Sequence, residues 1–153
     1  MKLLFLISIA LILNPGCFIN GKGYQGYIFP DSYFIMMTIK NQKERFTPTK
    51  NDVQKAEELL TKQIEILNFE QINQVGNCPI IHKNLKKYKR QYVGFVNMEG
   101  EKIIWINLIW FKDFNSILSK EIVSASDGCS FFWNIKVNIN NESVFDLNIN
   151  GLG

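Results

Sequence analysis

The stretch from Asp127 to Asn150 constrains the fold more than any other part of this chain. Phe131, Trp133, Ile135, Val137 and Ile139 alternate with the polar Asn134, Lys136, Asn138 and Asn140. After Asn140-Asn141-Glu142 the alternation resumes, with Phe145, Leu147 and Ile149 set against Asp146, Asn148 and Asn150. A period of two places successive side chains on opposite faces of a strand. Two such arms joined by an Asn-rich turn predict a β-hairpin with one wet face and one buried face. An isolated hairpin is not stable in water, so another part of the chain must cover its apolar side.

One segment has the pattern of that cover. Thr49 follows Pro48, and Asp52 stands three residues beyond it, as in a capping box with an acidic third position. Val53, Ala56, Leu59, Leu60, Ile64 and Leu67 then recur at helical spacing and form one apolar stripe. Lys50, Gln54, Lys55, Glu58 and Lys62 fall mostly outside it, and Glu58 precedes Lys62 in the favourable i,i+4 order.

Other strands are expected around this pair. Tyr33–Lys40 alternates and predicts a first strand, with Asn41–Arg45 as a charged turn. Asn68–Asn84 is irregular, with Gly76, Asn77 and Pro79. Gln91–Met98 is a strand candidate. Lys102–Trp110 is apolar on both faces, which suits a central strand covered on both sides. Phe111–Ser119 reads as a loop, and Glu121–Ala125 as a brief edge strand leading to the Asp127-Gly128 turn.

The N-terminus reads as an address. Met1-Lys2 precedes an apolar run from Leu3 to Leu13, broken only by Ser8 and followed by Asn14-Pro15-Gly16-Cys17. A short positive start, an apolar run too short for an ordinary membrane span and a helix-breaking exit describe a secretory signal. Gly16-Cys17 resembles the end of a bacterial lipoprotein signal, in which the Cys becomes the first mature residue and carries lipid. Asn14 and Pro15 stand where that pattern usually has Leu and a small residue. The expected organisation is a signal over 1–17, a Gly- and Tyr-rich tether over 18–31 and a single domain over 32–153. Acylated Cys17 would attach the exported protein to a membrane, on the periplasmic side or in the outer membrane; ordinary cleavage would leave it soluble and secreted. Cys78 and Cys129 would then be an even pair in an oxidising compartment. They are either a disulfide, closing a loop of about 50 residues and contributing ~4 kcal/mol, or two separate buried thiols.

One main helix with at least four antiparallel strands is an α+β fold, the helix packed on a curved sheet. The order strand, helix, hairpin, hairpin resembles the cystatin-like arrangement. Arg90-Gln91-Tyr92-Val93-Gly94, followed by Asp127-Gly128, Phe131-Phe132, Lys136, Phe145-Asp146-Leu147 and Asn150-Gly151, resembles the pattern of small uncharacterised bacterial lipoproteins. That resemblance spans Thr47 to the C-terminus and implies a fold without an activity.

Reactive chemistry has few candidates. The single His82 has no local partner for acid–base work. One His and two distant Cys do not make a zinc site, so neither a metal nor another cofactor is expected. The formal charge of +3 is too small to imply nucleic acid. Lys83, Lys86, Lys87, Lys89 and Arg90, with Tyr88 and Tyr92 nearby, could contact an anion such as a lipid headgroup or glycan; a solvated loop would have the same composition. The expected function is a non-enzymatic, exported, lipid-anchored binding or structural protein with an unknown envelope partner, the concave or uncovered sheet face contacting that protein or a lipid. The alternative is an inhibitor of a secreted protease. Gln91-Tyr92-Val93-Gly94 and Gln74-Val75-Gly76 approach the Gln-x-Val-x-Gly of cystatins without its spacing.

Overall fold

The computed structural model describes residues 15–36 and 39–152. Most of the expected signal segment, together with Met37 and Thr38 of the expected first strand, lies outside the described residues.

Helix α1 runs Lys50–Leu67 and begins as its sequence requires. Asp52 N donates to Thr49 Oγ1 at 3.1 Å, and Thr49 N donates to Asp52 Oδ2 at 2.9 Å. Each side chain satisfies a backbone N–H that the first helical turn leaves without a partner. Val53, Ala56, Leu59, Leu60 and Ile64 are buried, whereas Leu67 is exposed at the helix end.

Among the described residues seven strands form one sheet: β1 (Cys17–Gly21), β2 (Tyr24–Ile28), β3 (Gln42–Phe46), β4 (Lys89–Asn97), β5 (Lys102–Ile109), β6 (Phe132–Asn138) and β7 (Ser143–Ile149). The spatial order is β1-β2-β4-β5-β6-β7, and β3 shares with β2 one edge of β4. β2 pairs in parallel with Arg90–Tyr92, and β3 pairs antiparallel along Gly94–Asn97. The remaining neighbours are antiparallel. The expected α+β class is therefore observed, with more strands than the four clearest in the sequence.

The helix seals the C-terminal hairpin. Leu60 and Ile64 lie in one buried cluster with Tyr92, Ile104, Ile106, Trp133, Ile135, Val137 and Val144. The second arm departs from the expected alternation. Asn134 pairs with Asn148 but Lys136 with Phe145, so β7 carries one extra residue. Asp146 takes a positive φ of 51° there, which marks a β-bulge. Val144 and Leu147 consequently pack on the helix side, while Phe145 packs against the opposite face.

That opposite face is coated by coil. Tyr33, Ile35 and Ile39 share one side as their alternation implies, and pack against Phe29, Val93, Phe95, Ile103 and Trp105. They are not in a strand. β3 lies instead in the expected charged turn, where Lys43, Glu44 and Arg45 suit an exposed edge. Arg45 Nε donates to Gly94 O at 2.9 Å, and its terminal nitrogens reach Tyr33 O and Pro30 O, which holds the coil to the sheet. Glu121–Ala125 is also not a strand. Its backbone is satisfied by side chains: Gln91 Nε2 donates to Leu118 O and Glu121 O, Val123 N donates to Gln91 Oε1, and Asn107 Nδ2 donates to Val123 O. Both faces of β5 are thus covered, as its composition requires.

The expected tether is a hairpin of the sheet. Its glycines have structural duties: Gly23, with φ of 87°, completes the β1–β2 turn, and a β-carbon on Gly26 would overlap the carbonyl of Arg90. Cys78 and Cys129 are joined, with Cα atoms 6.1 Å apart, which ties the irregular segment after α1 to the entry of β6. Such a bond belongs to an oxidising, exported environment. No helix among the described residues is long and apolar enough to cross a membrane.

Candidate ligand cleft

The β1–β2 hairpin, one flank of α1 and the segment His82–Lys87 enclose a cleft of about 1050 Å³. The helix contributes Lys50, Gln54, Glu57, Glu58, Thr61 and Lys62, a spacing that keeps all of them on one side. The third wall consists of two short 3-10 turns, Ile81–Lys83 and Leu85–Lys87.

That wall is held in place by polar side chains. Asn68 Nδ2 donates to Gln74 Oε1 at 2.8 Å, and Gln74 Nε2 returns a bond to Asn68 Oδ1 at 2.6 Å. Gln74 Oε1 also accepts from Ile81 N at 2.9 Å, and His82 Nδ1 lies 2.9 Å from the Asn68 amide. Ile81 is fully buried beneath these bonds. His82 therefore lines the cleft with its ring tied to the end of α1.

The buried lining residues are Ile19, Glu57 and Arg90. Arg90 Nε donates to Glu57 Oε1 at 3.1 Å, Nη2 to Glu57 Oε2 at 3.4 Å and Nη1 to Tyr88 O. Tyr92 OH donates to Glu57 Oε1 at 2.8 Å. Burial, and then the negative charge of Glu57, pushes the Tyr92 hydroxyl well above its ordinary pKa, so it remains a donor. Tyr24 is raised by the same causes, with Glu58 adding to them. Removing one member of a buried ion pair costs about 3–5 kcal/mol, because the other charge is left without compensation.

The mouth is basic. Lys22, Lys50, Lys62, Lys83, Lys86 and Lys87 line it, all six exposed, against the single exposed carboxylate of Glu58. Among the described residues none of the six is in an ion pair. The cleft's excess of positive charge is larger than the +3 of the whole chain, so the remaining surface is net acidic. A concave basic surface beside an acidic remainder focuses the field on the cleft.

The basic run seen in the sequence is divided by the fold. Lys83, Lys86 and Lys87 reach the cleft. Lys89 and Arg90 are consecutive strand residues and point to opposite faces. Lys89 lies in a shallow recess with Phe18 and Leu118, and Arg90 is buried against Glu57. Arg90 is thus not the exposed anion contact expected from its place in the run. Lys22, Lys50 and Lys62 complete the rim, and no local signal marked them because they come from distant segments.

Other expected residues lie elsewhere. Cys17 is exposed, unpaired and the first residue of β1. Gln91–Gly94 is buried within β4; Gln74 is buried in the bonds described above, while Val75 and Gly76 beside it are exposed. An apolar surface does occur where none was expected, with Ile66, Phe69, Ile72 and Val75 exposed around the end of α1. Among the described residues no three His, Cys, Asp or Glu side chains converge to hold a metal.

No protein-family model matches the chain, and neither the curated proteins nor the solved structures give a match.

Proposed function

We propose that this protein is an exported, non-enzymatic binding protein, held to a membrane by lipid on Cys17, whose cleft takes an anionic ligand. The carrying observation is the charge separation: six lysines that make no ion pair among the described residues surround a concavity in a chain of only +3. Lysine side chains gathered from three separate segments cost mutual repulsion, which a bound anion would relieve.

Export is supported by the Cys78–Cys129 disulfide. Anchoring is supported by the exposed, unpaired Cys17. With no tether between Cys17 and β1, an acylated protein would hold its domain directly against the bilayer surface. The elements from β3 to β7 follow the order strand, helix, hairpin, hairpin, and we read this part as cystatin-like with an added N-terminal hairpin. The exposed apolar residues around Phe69 suit contact with an envelope protein.

Two measurements test the reading. Mass spectrometry of the membrane fraction should give an N-terminal peptide beginning at acylated Cys17; a soluble product with an unmodified N-terminus would remove the anchor. Titration of the Cys17→Ser protein with tripolyphosphate, followed by amide chemical shifts, should perturb residues 22–23, 61–62 and 83–87. Perturbation elsewhere, or none, would remove the anion site.

A further inference from the structure

We infer that the ligand is an amphiphile: a phosphate-bearing head at the lysine rim with an apolar body reaching into the cleft. This rests on the anion-binding reading above and adds the class of ligand to it.

The cleft changes character with depth. Its six lysines are exposed, whereas Ile19 is buried and Tyr24 and Leu85 are partly buried in the adjoining apolar cluster. The only charges among its buried lining residues are Glu57 and Arg90, and they neutralise each other. A small hydrophilic anion would use the rim and leave this lower part unfilled. A ligand with an apolar body would cover Ile19, Tyr24 and Leu85 while its head met the ammonium groups. The volume of about 1050 Å³ is sufficient for a single acyl chain with its head.

One detail adds to the argument. The stem of Lys86 approaches Gly23 at the β1–β2 turn, so Lys86 reaches across the mouth from the opposite wall. A long lysine covers apolar surface with its methylenes and keeps its charge in water, which is the arrangement an amphiphile needs at the head–body junction.

The test uses the Cys17→Ser protein and four probes: a monoacyl glycerol phosphate below its micelle concentration, glycerol 3-phosphate, inorganic phosphate and a monoacyl phosphocholine. Calorimetry gives affinities and amide shifts give the site. The acyl phosphate should bind at least about tenfold more tightly than glycerol 3-phosphate, the equivalent of roughly two buried methylenes. It should also bind more tightly than the zwitterionic phosphocholine, and should shift Ile19, Tyr24 and Leu85. Lys62→Glu with Lys86→Glu changes exposed residues only, so a folded variant is expected, and its affinity for the acyl phosphate should fall at least about tenfold. Equal affinity for acyl phosphate and glycerol 3-phosphate would overturn the amphiphile while leaving an anion site standing. Equal affinity for the two monoacyl probes would overturn the role of the head's charge. Absence of binding by every probe would overturn both readings.

Discussion

Replacing Glu57 by Gln isolates the energetics of the cleft floor. The change keeps the size of the side chain but removes the charge that faces Arg90 at 3.1 Å. Arg90 is 1% exposed, so water cannot take the place of the carboxylate. Breaking such a pair from one side costs about 3–5 kcal/mol. For a domain of this size that corresponds to a fall in Tm of roughly 10–18 °C. Replacing the whole group by apolar residues, as Glu57→Leu with Arg90→Met and Tyr92→Phe, leaves neither a buried charge nor an unmatched hydroxyl, and should recover most of the loss. Urea denaturation followed by near-ultraviolet circular dichroism reads both proteins. A loss below about 1 kcal/mol for Glu57→Gln, or a triple variant no more stable than the single one, would refute the description of this group as a dry, mutually compensated network.

Other perturbations test other parts of the molecule. Leu60→Ala should cost about 2–5 kcal/mol through the cavity left between α1 and the C-terminal hairpin, whereas Leu67→Ala, at an exposed position, should stay within about 0.5 kcal/mol; equal effects in chemical denaturation would contradict the packing of α1. Non-reducing peptide mapping of exported protein should recover Cys78 joined to Cys129, and Cys78→Ser with Cys129→Ser should lower stability by ~4 kcal/mol for a closed loop of 51 residues. Burial raises the hydroxyls of Tyr88 and Tyr92 above their unfolded value. The unfolded chain therefore loses these protons first as pH passes about 10, and stability should fall by up to ~1.4 kcal/mol per pH unit for each tyrosine. Below that pH the contribution is complete, so a stability curve that is flat through the alkaline range, or one that declines near neutrality, would contradict the assignment.

The parts of the fold legible in the sequence are those where local pattern and tertiary packing agree. Thr49 and Asp52 announce the start of α1, and the stripe from Val53 to Ile64 gives the face it buries. The apolar run of β5 needs covering on both sides and receives it. The misreadings arise where contacts distant in sequence decide the outcome. Gly21, Gly23 and Gly26 have the composition of a tether, but the turn and the close approach to Arg90 require residues of that kind. The coil around Tyr33 has the alternation of a strand because it packs one side on the sheet, while Arg45 and the β4 edge select the charged segment after it as β3. The bulge at Asp146 shifts Phe145 to the other face, which period-two counting cannot register. At the cleft, Lys83, Lys86 and Lys87 stood out as a run. Lys22, Lys50 and Lys62 join them only through the fold, and the alternation of β4 withdraws Arg90 from the surface.

The claim that charge at the cleft mouth captures an anion is tested most directly by the salt dependence of tripolyphosphate affinity. Raising the ionic strength from about 10 mM to about 150 mM shortens the Debye length from about 30 Å to about 8 Å. Affinity should fall steeply across that range in the Cys17→Ser protein, and the dependence should flatten when Lys62 and Lys86 are both changed to Glu. An affinity that ignores salt, or that is the same in both proteins, would contradict it.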